Sequence, residues 1–305
     1  MCMPIKKDNK LKDYKLLTID KTVSAHGFIL CYNDQAHKYW IIHPDGSKHD
    51  VYGMTTIQKP IGSVSFDKDG KVSSKSDILM KWAVKVNREA MIDHVNQGKE
   101  LSIPDIKELS GAYNLKSDYA KDFGKIVHNL IESATNSNQS GDGFVWNDSP
   151  EHLVAKRVID NDRATGTHVI AQELLVFAPS NPQDPPEEWR DWMAGQFDRL
   201  VLRDGQIELQ DHKTSSGVYD LNYFAQCMGY QQMLEWMMKD KNNTYCETLS
   251  TLYDKPIAAR RVNLATKTGE FTDKWVSTNE LDDRRMLQAT LEVFNISKKY
   301  RHLFW

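Results

Sequence analysis

The sequence predicts an α/β protein with an N-terminal lobe of short strands and helices packed on its core. Three observations carry this expectation. "GQFDRLVLRDGQIELQDHKTS", 195–215, holds two alternating segments around Asp204-Gly205. That dipeptide is a strong hairpin signal, because a type I′ turn needs φ > 0 at both central residues. Segments with apolar residues at helical spacing flank this hairpin, one near 119–134 and one near 222–237. Before them, residues 16–67 read as short strands and turns.

In chain order, "HGFILCY" and "KYWIIHPDGSKHDVYGM" are strand-like, and Asp45-Gly46 predicts a second hairpin. "DKDGKVSSKS", 67–76, reads as a loop, with Ser76 able to cap a helix that runs to about Asn96 and stops at Gly98. Tyr119, Phe123, Val127, Leu130 and Ala134 form an apolar stripe on the next long helix. "TNSNQSGDGFVWNDSPE", 135–151, and the Pro-rich "APSNPQDPPEEW", 178–189, are loops. Strand "AQELLVF", 171–177, lies between them. After the hairpin comes a helix whose Met228, Met233 and Met237 suit a core. Strands "TLSTLYD" and "AARRVNLAT" follow, and a closing helix runs from Thr278 or Asn279 to about Lys299. The division expected is a lobe over 1–114 and a catalytic core over 115–305.

The chain has 305 residues, 27% charged and 40% hydrophobic, the composition of a soluble globular protein. No apolar run reaches the roughly 18–20 residues of a membrane span, and no secretory signal is expected behind the N-terminal lysines. Cys2, Cys31, Cys227 and Cys246 are scattered, which favours neither a zinc ribbon nor a disulfide framework. A cytoplasmic, reducing location is the expectation. The net charge of −3 means that any nucleic-acid binding must use local patches. The most regular basic stripe is Lys81, Lys85 and Arg88, at i, i+4, i+7. Trp82 and Tyr113 could offer stacking surfaces beside it.

The hairpin has a chemical consequence. With residues 204 and 205 as its loop, Leu202 pairs with Ile207, Leu200 with Leu209 and Asp198 with Asp211. Alternation puts all six on one face together with Lys213. Two carboxylates about 5 Å apart repel by roughly 3 kcal/mol at an effective dielectric near 20. A divalent cation reverses that sign. The bland reading is a hairpin whose far end is wet.

This constellation resembles the PD-(D/E)XK nuclease superfamily, in which an Asp on one strand and an acid-x-Lys on the next hold the catalytic metal. Here these are Asp198 and Asp211-His212-Lys213, with Phe197 where the superfamily's name has Pro. N-terminal "VYGMTTIQKP", followed by "ILMKWAVKVNREA", looks faintly similar to the front part of phage exonucleases and of the mitochondrial genome maintenance exonuclease, and three further stretches resemble the superfamily's RecB-like exonuclease branch. "FGKIVHNLIE", 123–132, resembles the G-x-x-x-H helix; "AQELLVF" the glutamate strand; "NYFAQCMGYQQML", 222–234, the Q-x-x-x-Y helix.

The resemblance covers about 117–240 and implies a restriction-endonuclease-like core, a central mixed sheet flanked by helices, and a metal-dependent DNA exonuclease of recombination, repair or phage DNA metabolism, preferring single-stranded DNA or ends with an unpaired strand. It implies one or two Mg²⁺ or Mn²⁺ ions on His128, Asp198, Asp211 and the His212 carbonyl, with Glu173 on a second ion or a water. Lys213 would act on the attacking water. Gln226 and Tyr230 would position the scissile phosphate. Relatives with an iron-sulfur cluster carry cysteine spacings that this chain lacks, so no cluster is expected. The alternative is a nuclease fold that grips DNA ends with little cleavage and works with a recombination partner protein. Neither reading involves a membrane.

Overall fold

Backbone turns with positive φ set the order of the first strands. In a computed structural model of the chain, His26 and Gly27 (φ 54° and 81°) fold β1 (Thr22–Ala25) back on β2 (Phe28–Asn33). The Asp45-Gly46 turn joins β3 (Lys38–Ile42) to β4 (Lys48–Gly53). Asp45 accepts a hydrogen bond from the Ser47 amide at 2.9 Å, and bonding to Ser47 holds its carboxyl below its ordinary pKa. The structure describes residues 22–59, 64–66, 72–137, 141, 143–189, 191–215, 222–249, 255–265 and 280–303.

The remaining elements follow in sequence: α1 (Met54–Ile57), β5 (Val64–Phe66), β6 (Val72–Ser74), α2 (Lys75–Asn96), α3 (Ile103–Leu109), α4 (Ala112–Ser137), α5 (Pro150–Thr165), β7 (His168–Pro179), β8 (Trp192–Arg203), β9 (Gln206–Lys213), α6 (Asn222–Met238), α7 (Cys246–Leu249), β10 (Ile257–Leu264) and α8 (Glu280–Lys299). The fold is mixed α/β, with a central, mostly antiparallel sheet flanked by helices. The sheet runs β1-β2-β3-β4-β8-β9-β10, and β7 pairs with β8. The β4–β8 pair is parallel.

Several boundaries differ from the sequence reading. Lys75 already belongs to α2, so Ser76 lies inside the helix instead of before it. Residues 67–71 of the expected loop lie outside the described residues, and 72–74 form β6. The start of "TLSTLYD" falls in α7, and its residues 250–254 lie outside the described ones. No described helix is long and apolar enough to cross a membrane.

The chain forms two compact units. The first comprises residues 1–54, 164–210 and 229–260. Its core lies on both faces of β7 and β8, where Ile170, Val176, Phe177, Met193, Phe197 and Val201 are buried. Near-continuous burial on these strands reflects a sheet covered on both sides. A Tyr39–Gly53 contact fits here too: a side chain at Gly53 would collide with the Tyr39 ring.

The second unit comprises 55–163, 211–228 and 261–305. Phe123, Val127, Ile131 and Ala134 of α4 pack with Val154, Ala155, Val158 and Ile159 of α5 and with Ala265. The stripe repeats at i, i+4, i+8, i+11, which is helical periodicity. Each large aliphatic or aromatic side chain buried this way contributes about 1.5–3 kcal/mol. Tyr119, expected on the same stripe, is exposed. The packing fixes the rotation of α4 about its axis, and hence the direction of His128, which borders the stripe.

Candidate metal centre

Asp204 and Gly205 have φ of 50° and 78°, as a type I′ turn requires. The β8–β9 register follows from the turn: Arg203 faces Gln206, Leu202 faces Ile207, Leu200 faces Leu209 and Arg199 faces Gln210. Asp198 and Asp211 are the next residues along the two strands. Neither sits at a wet hairpin end. Asp198 is half-buried, and Asp211 is 2% exposed.

On the other side of β8, β7 carries a bulge. His168 and Val169 face Leu202 and Val201, but Ala171 faces Leu200, so Ile170 is the extra residue. Beyond it Gln172 faces Arg199 and Leu174 faces Phe197. Glu173 therefore falls opposite Asp198. Without the bulge that place would go to Gln172. Bulges re-aim side chains in this way, and they concentrate near functional sites.

Glu173 also has φ 50° in the middle of a strand. The left-handed region costs a residue with a Cβ roughly 1–2 kcal/mol, and such outliers persist where surrounding structure holds them. Here the Gln196 amide Nε2 donates to Glu173 Oε2 at 2.8 Å. Gln196 lies two residues before Asp198 and so shares its face of β8.

One nitrogen of His128 and one carboxylate oxygen each of Glu173 and Asp198 lie within 4.8 Å of one another, and all three residues are half-buried. This group could hold a metal ion. Donors around Mg²⁺ at about 2.0–2.1 Å lie at most roughly 4.2 Å apart. Carboxylate oxygens suit Mg²⁺, Ca²⁺ and Mn²⁺, and an imidazole suits Zn²⁺, Cu²⁺, Fe²⁺ and Ni²⁺.

His128 is tied to the D-x-K segment through the backbone. Its Nε2 donates to the His212 carbonyl at 3.1 Å. The two imidazole rings meet edge-on, 6.1 Å apart. The Lys213 carbonyl accepts from the Ala265 amide at 2.8 Å, which anchors the end of β9. Gly124 has a steric reason: a Cβ there would lie 3.2 Å from Thr214 Oγ1, just past Lys213. The G-x-x-x-H spacing thus lets α4 approach the chain that follows the D-x-K.

Asp211 is outside the three-residue group. Its Oδ2 forms an ion pair with Lys213 Nζ at 2.5 Å. Lys213 Nζ also lies 5.1 Å from the centre of the Tyr223 ring, at cation–π distance. A solvated lysine end is not what the sequence has built here. Tyr223 carried no signal in the sequence, because its place beside Lys213 depends on how α6 begins.

Gln226 is buried on α6. Tyr230 lies one turn further on and is 3% exposed. A Cβ on Gly195 would come within 2.5 Å of the Tyr230 ring, and the ring centre is 6.0 Å from that of Phe197. Gly195 and Phe197 point to the face of β8 opposite Gln196 and Asp198. Tyr230 was expected to position the scissile phosphate with Gln226; its ring packs on Gly195 and Phe197 of β8. Among the residues that sequence reasoning missed, Gln196 was findable, since strand alternation alone places it beside Asp198.

Lys81, Lys85 and Arg88 are all exposed on α2. Lys85 reaches Glu89 at 3.7 Å, an i,i+4 surface pair of small energetic worth. Trp82 and Tyr113 are also exposed. A scan of protein-family models gives no match to the chain, and no curated protein matches it.

Proposed function

We propose that this chain is a divalent-metal-dependent nuclease that degrades DNA from its ends. The observation that carries the reading is the convergence of His128, Glu173 and Asp198, with His128 bonded to the backbone of Asp211-His212-Lys213. The order and chemistry of these residues are those of the PD-(D/E)XK superfamily, which the sequence resembles in its RecB-like branch.

A bound Mg²⁺ or Mn²⁺ would act as a Lewis acid on the phosphate and lower the pKa of a water. His128, Glu173 and Asp198 supply the donors that hold it. Lys213, a cation beside Asp211 and Tyr223, orients the attacking water and offsets charge on the phosphate oxygens. Asp211 holds the Lys213 ammonium in place and would be a further ligand for the ion. Tyr230 acts from the far side of β8, holding the strand at Gly195 so that Asp198 keeps its place. Lys81, Lys85 and Arg88 contribute sequence-independent phosphate attraction.

The test is incubation with end-labelled linear DNA, single-stranded and duplex, and with closed circular duplex. Mg²⁺ or Mn²⁺ should support loss of the linear forms while circles persist, and EDTA should stop it. Cleavage that survives excess EDTA overturns the metal mechanism. Tight binding of DNA ends with no cleavage under any divalent ion would instead support a DNA-end-binding module.

A further inference from the structure

We propose that Gln196 is a positioning residue of the cation site, acting through Glu173 by fixing how its carboxylate presents an oxygen to the ion. The inference rests on the reading above, that His128, Glu173 and Asp198 hold a divalent cation. Three observations carry it. The Gln196 Nε2–H donates to Glu173 Oε2 at 2.8 Å. Gln196 and Asp198 point to the same face of β8, so the donor approaches Glu173 from the ligand side. Glu173 has φ 50°, so ordinary strand geometry does not aim its side chain.

The bond has a directional consequence. An amide holding Oε2 leaves Oε1 as the oxygen turned away from Gln196. A neutral donor suits this task. A lysine there would compete with the cation for the same carboxylate, and an apolar side chain would remove this donor. Hydrogen-bonded partners of metal ligands are worth about 10–100-fold in metal affinity.

The test is direct titration of the full chain with Mn²⁺, read by electron paramagnetic resonance into the millimolar range, with no nucleic acid present. Gln196→Leu and Gln196→Ala should each weaken Mn²⁺ binding about 10–100-fold, with the circular-dichroism spectrum unchanged. In a Glu173→Ala background the same changes should cost less than about twofold, because partners in one interaction are non-additive. Wild-type affinity in both single variants overturns the proposal. So does an equal loss in both backgrounds, which would mean that Gln196 supports the sheet instead of the ligand. If the wild-type chain itself binds no Mn²⁺, the cation reading falls and takes this inference with it.

Discussion

Glu173 stands opposite Asp198 on neighbouring strands while holding a left-handed backbone. The β7–β8 register sets the pairing and φ is 50°. An ordinary strand residue would not adopt this conformation, so the carboxylate's position is maintained against a local cost. Glycine at this place should relieve the cost that alanine keeps. Glu173→Gly should therefore be more stable than Glu173→Ala by about 1 kcal/mol, read from denaturant midpoints. An alanine variant as stable as the glycine one would contradict the strained backbone.

Gly124 and Thr214 test how α4 is seated. Alanine at 124 gains roughly 1 kcal/mol of helix propensity over glycine, so the variant should fold. Its Cβ must push on Thr214 Oγ1 from 3.2 Å. A shift of a few tenths of an ångström near Lys213 should slow DNA cleavage about 3–10-fold. Adding Thr214→Ala should restore most of the rate. If Gly124→Ala cleaves at the wild-type rate, the close approach has no part in setting the site.

Asp198, Asp211 and Lys213 should separate by route. Asp198 belongs to the three-residue group, whereas Asp211 is paired to Lys213 at 2.5 Å. Asp198→Asn should weaken Mn²⁺ binding more than Asp211→Asn does. Lys213→Ala should leave Mn²⁺ affinity near normal and slow single-turnover cleavage by about 10²–10⁴-fold. A larger Mn²⁺ loss in Asp211→Asn than in Asp198→Asn would move the ion to the D-x-K pair.

His168, at the start of β7, gives a pH prediction. Burial pushes its imidazole pKa below the ordinary 6.5. The unfolded chain then binds more protons than the folded one around that pH, so stability rises with pH. The His168 contribution is complete above 6.5 and is lost as pH falls below it. Between pH 7.5 and 5.5 the wild type should lose more melting temperature than His168→Asn does. Equal losses in both proteins would rule out this role for His168.

Parts of this structure were written plainly in the sequence. The Asp204-Gly205 dipeptide dictated a turn, and the turn dictated the β8–β9 register, because side-chain period and loop length leave one solution. The α4 stripe was equally legible at Phe123, Val127 and Ala134. The placement of Glu173 was not. It depends on the Ile170 bulge and on a positive φ that glutamate does not advertise, and both arise from tertiary constraint. The face of β8 that Tyr230 covers was also hidden, since helix spacing says which residues align but not which side of a sheet they meet. The smallness of Gly195 was the available clue, intelligible only once α6 lay against it.

In the proposed function, His128, Glu173 and Asp198 share one divalent cation. The most direct measurement is an anomalous-difference map from crystals of the chain soaked in Mn²⁺. A single strong peak should lie bonded to one atom of each of the three residues at about 2.0–2.3 Å, and should be absent from Asp198→Asn crystals. A map with no peak there, or with Mn²⁺ held elsewhere and none of the three residues bonded to it, would contradict the account.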